Sequence, residues 1–600
     1  MKKTVQKMLM CLLAGMMVFS TAACGGSGDN GGDGWGNAST GGNTNQSDNS
    51  GSGNTNVDEP IEGVTNPYKL KVYSFTGGYG EEWLNSLVVR YKKARAGKEF
   101  YINGVKYDGV DFDLAKEKET MTNLMNKNLE YDVWFQEQVF YNQLINANVF
   151  HDMTDVLTSD NPYEPGVTLE SKMSDYQKEY YKRDTDGDGV KDTYYGIPHY
   201  AGYVGLTYNK WMFDERGWYF KKGYNEQYLT ANPQMCIVGN TGADKAAGPD
   251  GVEGTSDDGL PTTYDEYFAL CKIISYNCKA ITWPGGHLDY LNWFMTSLAA
   301  NAEGLDQMSL NYSFDGTATN LISVADDGTI TDLPAEKITK DNGYILAQQA
   351  GKYYALKFLE NIVDRGYQDA NADNDVCTQT KAQKDFILST GAELTDSAMI
   401  VEGVWWEMES KQTFDTIMAS EGYDARDDFA WMPLPMPTKE LAAQRAANLA
   451  AGKNGYTLTD THNSLAFIGK QVSDEVYELA KDFIQFANTD ESLAEFSIIT
   501  DTTKALNYTM KPEQKAQMSS YGQSLVAVKE KSDIVYTFSQ NAFYRANEAS
   551  FSEYKTNFAS IVDGNKMETA VNEFKKGMSA EKYFGGLHLY QQDKWTKLTK

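Results

Sequence analysis

The chain has 600 residues and a mass of 66.9 kDa, more than one hydrophobic core usually carries, so two or more compact lobes plus tails are expected. Its 41% hydrophobic and 23% charged residues, with a mean hydropathy of -0.52, exclude a polytopic membrane protein and a fully disordered chain. The formal net charge of -29, from 83 acidic against 54 basic residues with no long Lys/Arg run, excludes a nucleic-acid partner, because such a field repels phosphate backbones.

In chain order, Lys2, Lys3 and Lys7 precede an apolar run from Met8 to Phe19, then Ser20 to Ala23 and Cys24. As a helix that run reaches about 18 Å, short of the roughly 30 Å hydrocarbon core, so residues 1–23 read as a signal peptide and not an anchor. Small residues before Cys24 and polar glycine-rich sequence after it resemble the bacterial lipobox, which implies lipidation at Cys24. Thr21 stands where that pattern usually has Leu, and plain signal cleavage beside an incidental cysteine is the alternative. Residues 24–67 are Gly, Ser, Asn, Thr and Asp with almost no aliphatics; they are expected to form a disordered tether with an r.m.s. reach of ~35 Å.

The body begins at residue 68. Tyr68 to Phe75 is a strand candidate, followed by a Gly77-Gly78 turn and a helix with Leu84, Leu87, Val88 and Tyr91 on one stripe. Phe100 to Tyr107 carries Asn103-Gly104 at its centre, the signal for a type I′ hairpin. An edge strand is expected over Val110 to Leu114, a helix from Lys116 to Leu129, a strand over Tyr131 to Phe135 and a helix toward Val149. The alternation predicts α/β architecture with a mainly parallel sheet.

Residues 184–192 read D-x-D-x-D-G-x-x-D. That order places Asp184, Asp186, Asp188 and Asp192 at loop positions 1, 3, 5 and 9 and the Val190 carbonyl at 7, a donor set suited to calcium. It departs from an EF-hand at position 12, where Tyr195 replaces a bidentate Glu, and no helix pair flanks it. A calcium loop of extracellular type is expected, with a solvated acidic turn as the alternative. A second acidic loop, from Gly248 to Gly259 with Asp250, Asp257 and Asp258, could hold its own ion or lend the first a ligand.

Further along, Ile197 to Tyr208 is a long extended segment, and Thr263 with Glu266 forms a capping box opening a helix that carries Tyr267, Leu270, Cys271 and Ile274. Ala280 to Trp283, Ala398 to Val401 and Phe429 to Met432 are strand candidates, and Ser473 starts a helix with Val476, Leu479, Ala480, Phe483 and Ala487 in register. The C-terminal third reads as largely helical. Cys271 and Cys278 on one helix face would lie about 10 Å apart, too far for a disulfide, so Cys236, Cys271, Cys278 and Cys377 are read as buried thiols. No zinc pattern is present.

The ordered blocks YKLKVYSF, YDVWFQEQ, YYGIPHYAGYVGLTYNKWMF, LPTTYDEYFALCKII, DSAMIVEGVWWEM, FAWMPLPMP and AKDFIQFANTDESLAEF resemble family 1 extracellular solute-binding proteins, the lipid-anchored sugar receptors of bacterial ABC importers. The resemblance implies a two-lobed periplasmic-binding-protein-like fold with a ligand cleft between lobes and extended crossovers near Tyr200, Leu434 and Thr502. Lobe 1 would hold residues 68–200 and 435–501, and lobe 2 residues 201–434 and 502–600.

A sugar cleft needs planar rings to stack on C–H faces and fixed amides or carboxylates for hydroxyls. The 39 Tyr, 26 Phe and 11 Trp exceed what a core alone calls for and favour such a ligand. Strand ends and turns nominate Tyr79 with Trp83, Gln136 and Glu137 after the YDV strand, Tyr200 with His199 at the first crossover, and Trp283 with Tyr290, Asn292 and Trp293 nearby. By the resemblance, Trp405 matches the Trp of a Gly-x-Trp stacking floor, with Trp406 beside it because consecutive tryptophans are hard to bury together. Phe543 and Tyr544 match a late aromatic pair aimed into the cleft.

The resemblance thus implies a non-catalytic, monomeric receptor, lipid-anchored on the outer face of the cytoplasmic membrane, that captures a carbohydrate, expected to be an oligosaccharide, and presents it to permease subunits. A secreted glycosidase, with Glu402, Glu407 or Glu137 as paired carboxylates, and a receptor for a non-sugar solute are the alternatives. The H-E-x-x-H, G-x-S-x-G and P-loop patterns are absent from the sequence.

Overall fold

A computed structural model describes residues 56–599 apart from 76, 116–120, 127–128, 138, 186 and 553–556. The expected signal peptide, Cys24, most of the tether and Asp186 lie outside the described residues. Two α/β lobes, each built on its own sheet, account for the body.

In the first lobe the strand order is Ile197–Pro198, Leu465–Ile468, Val133–Gln136, Pro67–Ser74, Gly109–Ala115. Pro67–Ser74 runs parallel to both neighbours, while Leu465–Ile468 enters antiparallel, pairing Leu465 with Gln136 and Ile468 with Val133. Helices cover both faces, so Val133 to Gln136 are all buried. Trp134 stacks on Phe467 at 5.7 Å, and Phe135 meets Trp83 at 5.5 Å. Asn103 and Gly104 adopt φ of 50° and 76° between strands Phe100–Ile102 and Val105–Tyr107, as a type I′ turn demands.

The second lobe has the order Lys279–Thr282, Ser397–Gly403, Val204–Asn209, Phe429–Met432. Only Lys279–Thr282 and Ser397–Gly403 are parallel. Both sheets are therefore mixed rather than mainly parallel, because some strands arrive from the other lobe instead of returning through a helix of their own. The capping box forms as expected: Thr263 accepts from the Glu266 amide, whose side chain accepts from the Thr263 N–H, opening helix Tyr264–Ile274. That helix stops before Cys278, so Cys271 and Cys278 are not on one helix; all four described cysteines are free and buried.

The chain crosses between lobes three times, twice later than expected. It leaves the first sheet after Pro198 and enters the second at Val204. Leu434 does not mark the return: the Met436 amide still pairs with Thr262, and strand Tyr456–Asp460, paired with Ser532–Tyr536, packs on helix Leu288–Ser313 of the second lobe. The return spans 461–464. Thr502 does not mark the last crossing either. The Asn507 amide bonds to Lys172 of the first lobe, and the second lobe is regained with helix Ser520–Lys529, where Ser524 Oγ accepts from Trp431 N at 2.8 Å.

Candidate functional site at the lobe interface

The Gly77–Tyr79 turn follows the central strand of the first lobe and carries Tyr79 into the interface. Its ring lies parallel to that of Tyr200, 4.2 Å away with planes at 0°. Its hydroxyl donates to the Ala201 carbonyl at 2.9 Å and lies 3.1 Å from His462 Nδ1. Glu137 sits against Gly77, and its charge helps raise the Tyr79, Tyr200 and Tyr290 phenols, on top of the larger effect of burial. Gln136 closes its strand alongside, its carbonyl accepting from Ser464 Oγ at 2.9 Å.

From the second lobe, strand Ser397–Gly403 ends in a turn that delivers Trp405 onto this surface. The indole stacks on His462 at 4.6 Å and 17°, and its Nε1 donates to Tyr290 OH at 3.3 Å. Gly78 lies so close that any Cβ there would collide with the Trp405 ring. A side chain at position 78 is thus incompatible with this approach of the lobes.

Tyr200 and Lys504 pair across adjoining crossover segments. The Lys504 Nζ lies 4.4, 4.5 and 4.0 Å from the ring centroids of Trp83, Tyr200 and Phe496 and 3.1 Å from the ring nitrogens of His199. Burial pushes the Lys504 amine well down; burial and then Lys504 push His199 down as well. The cavity among Trp83, Phe135, His199, Phe496 and Lys504 holds about 10 Å³, room for one water at most. Asp460 Oδ1 accepts from the amides of Gly202 and His462 at 3.2 and 3.0 Å, and burial raises its carboxyl to about 7.

Tyr79, Gln136, Glu137, Tyr200 and Trp405 therefore come together. Trp406, Trp283, Phe543 and Tyr544 do not join them. Trp406 turns into the second lobe's core among Phe386, Phe414, Phe429 and Tyr521; the consecutive tryptophans are both buried, because the turn sends one to each side. Trp283 lies with Leu291, Phe294 and Phe358 around an apolar void of about 10 Å³. Phe543 packs on Phe314, Phe551 and Trp595, while Tyr544 stacks on Phe551 and donates to the Thr537 carbonyl.

The carboxylates weighed for acid–base chemistry fall into separate buried networks. Glu402 and Glu409 share Gln383 Nε2, at 3.1 and 2.6 Å; Glu407 faces Ser519 and Asp501. Burial raises all three glutamates.

The 184–192 loop is an exposed connection between strands Lys182–Arg183 and Thr193–Tyr194. Asp184 accepts from the Gly187 and Gly189 amides at 2.7 and 3.0 Å, and Asp188 accepts from Val190 N at 2.7 Å. Gly187 and Gly189 have φ of 81° and 88°, which glycine adopts without strain. Asp184 and Asp188 face the loop's own amides, Asp192 accepts from the Thr193 hydroxyl at 3.1 Å, and no three His, Cys, Asp or Glu side chains among the described residues are grouped to hold a metal. In the second loop, Asp250 pairs with Lys531 at 3.1 Å and its amide donates to Asp257 at 2.9 Å; burial lifts Asp257 to about 6.

Sequence reasoning missed His462, Lys504 and a second aromatic contact, where Tyr180 meets Phe538 at 4.3 Å and Tyr176 stacks on Tyr536 at 5.0 Å. A histidine in a polar turn straight after strand Tyr456–Asp460 was the available signal.

No family model and no curated protein matches the sequence. Solved structures that resemble the chain include a chitin oligosaccharide binding protein, 14% identical, covering 88% of this chain and 99% of its own with a TM-score of 0.47. The cyclic alpha-maltosyl-1,6-maltose binding protein from Arthrobacter globiformis is 13% identical, with 88% and 100% covered and a TM-score of 0.47. Maltose-bound T. maritima MalE3 is 13% identical, with 88% and 100% covered and a TM-score of 0.48. The two-lobed architecture stands on the sheet topology and the three crossings themselves.

Proposed function

We propose that the chain is an extracellular solute-binding lipoprotein that captures a carbohydrate between its lobes and delivers it to an ABC permease. One observation carries the reading: a layer of rings drawn from the first lobe (Tyr79), the second (Trp405) and the crossovers (Tyr200, His462) meets at the interface. Flat rings edged by Glu137, Gln136 and tyrosine hydroxyls are what sugar C–H faces and hydroxyls require. Closure of two lobes over such a layer gives capture without chemistry. The separation of Glu402 and Glu407 into different buried networks supports a non-enzymatic role over a glycosidase, whose two carboxylates must flank one bond.

Anchoring through Cys24 on the outer face of the membrane belongs to the same proposal and is supported by the leader sequence. So does calcium at 184–192, supported by the carboxylate spacing and the two left-handed glycines; Asp184 and Asp188 would have to turn from amides to the ion. Isothermal titration against an oligosaccharide panel, with chemical analysis of recovered ligand, tests the main reading. Tight binding with ligand returned intact is expected, and consumed ligand overturns it. For calcium, a melting midpoint that is the same with added ion and with chelator overturns the loop's role.

A further inference from the structure

The Trp405 face that a sugar ring would use is already covered. The His462 imidazole lies parallel to it, with centroids 4.6 Å apart and planes 17° apart. His462 belongs to the 461–464 crossover, and other segments converge on it. Tyr79 OH of the first lobe reaches its Nδ1 at 3.1 Å. Gly202 of the first crossover sits where any Cβ would collide with the imidazole. Asp460 Oδ1 accepts the His462 amide at 3.0 Å. A neutral imidazole offers a flat face and, at its edge, one donor and one acceptor. To Trp405 and Tyr79 it presents the same pair of features as a sugar ring: a face to stack and an edge to hydrogen-bond.

We propose that His462 is an internal occupant of the Trp405 subsite, which a bound carbohydrate ring must displace. The inference rests on the carbohydrate reading above. It makes His462 a specificity-determining residue: a ligand that stacks on Trp405 but does not replace the His462 contact to Tyr79, whose hydroxyl then keeps only its bond to the Ala201 carbonyl, recovers only part of what it removes. The titratable groups facing His462 are Tyr79 from the first lobe's turn and Asp460 from its own strand; Trp405 and Gly202 carry no charge. Burial holds the ring neutral, with its value pushed down to about 3, whereas a displaced, hydrated imidazole titrates near the ordinary value of about 6.5.

The full chain has five histidines, few enough for their imidazole C–H signals to be followed one by one in NMR, with His462→Ala assigning the signal in question. Without ligand, the His462 signal should stay flat from about pH 5 to 8. With a panel oligosaccharide saturating the protein, it should titrate near the ordinary value. His462→Ala should bind that sugar about three- to ten-fold tighter, the worth of one ring stack. Sugar binding with a silent His462 signal would overturn the proposal and leave the carbohydrate reading standing, as would weaker binding by the variant. No binding by the wild-type chain to any sugar would overturn the carbohydrate reading itself, and this inference with it. If His462→Ala does not fold, His462→Asn assigns the signal instead and the wild-type titration decides.

Discussion

The Trp405 turn and the 184–192 loop are both short, both stand out in the sequence, and are built in opposite ways. Trp405 takes its partners from distant segments: Tyr290, His462 and the Gly77–Tyr79 turn. In the loop, Asp184 and Asp188 take their hydrogen bonds from within, accepting from the Gly187, Gly189 and Val190 amides, and other loop bonds reach Glu179, Arg183 and Thr193 of the same lobe. A site assembled across lobes changes with their separation, so it can report and respond to closure. A site bonded to itself moves as one piece with the lobe that carries it.

Substitutions separate the two. Trp405→Ala should cost about 3–5 kcal/mol, the range for emptying an aromatic site, and abolish sugar capture; denaturant unfolding and titration measure both. Lys504→Met should gain about 1–4 kcal/mol at neutral pH, as when buried ionic groups are replaced by apolar ones. Its folded-state value is depressed, so the stability tied to it is present above the ordinary lysine range and lost as pH falls; the variant should be flatter with pH in that window. Gly78→Val should cost about 1–3 kcal/mol through overpacking and push the lobes apart, seen as a larger radius in small-angle scattering.

Smaller effects follow. The His462 value is depressed to about 3, so its contribution is present above the ordinary imidazole value of about 6.5 and lost as pH falls toward the folded value. His462→Asn should shallow that acid limb in pH-dependent melts. Asp184→Ala should cost only about 1 kcal/mol, one set of loop-amide bonds, and leave sugar affinity unchanged, which the self-contained loop requires.

What the sequence made legible was local. The Asn103-Gly104 turn, the Thr263–Glu266 box and helix Asp474–Ala487 each depend on residues a few positions apart, and each formed. The crossings did not read out, because nothing near Leu434 or Thr502 says that Met436 pairs with Thr262 or that Asn507 reaches Lys172. Nor could spacing say which of two adjacent tryptophans faces the other lobe. Of the site, Tyr79, Gln136, Glu137 and Tyr200 were legible as rings or polar groups at strand ends and turns, and Trp405 through the family resemblance. Lys504 was invisible, since a lysine boxed by three rings on separate segments has no periodic signature.

The four buried thiols have a practical corollary. Cys236, Cys271, Cys278 and Cys377 are sealed from solvent, and burial raises each thiol, Cys278 to about 12, so few are thiolates at neutral pH and electrophilic dyes should pass over them. One reactive cysteine placed on each lobe, at Tyr101→Cys and Tyr276→Cys where both native side chains stand exposed, would then carry a donor and an acceptor fluorophore while the cysteines among the described residues stay silent. The folded protein already has the chemistry of a ligand sensor's background.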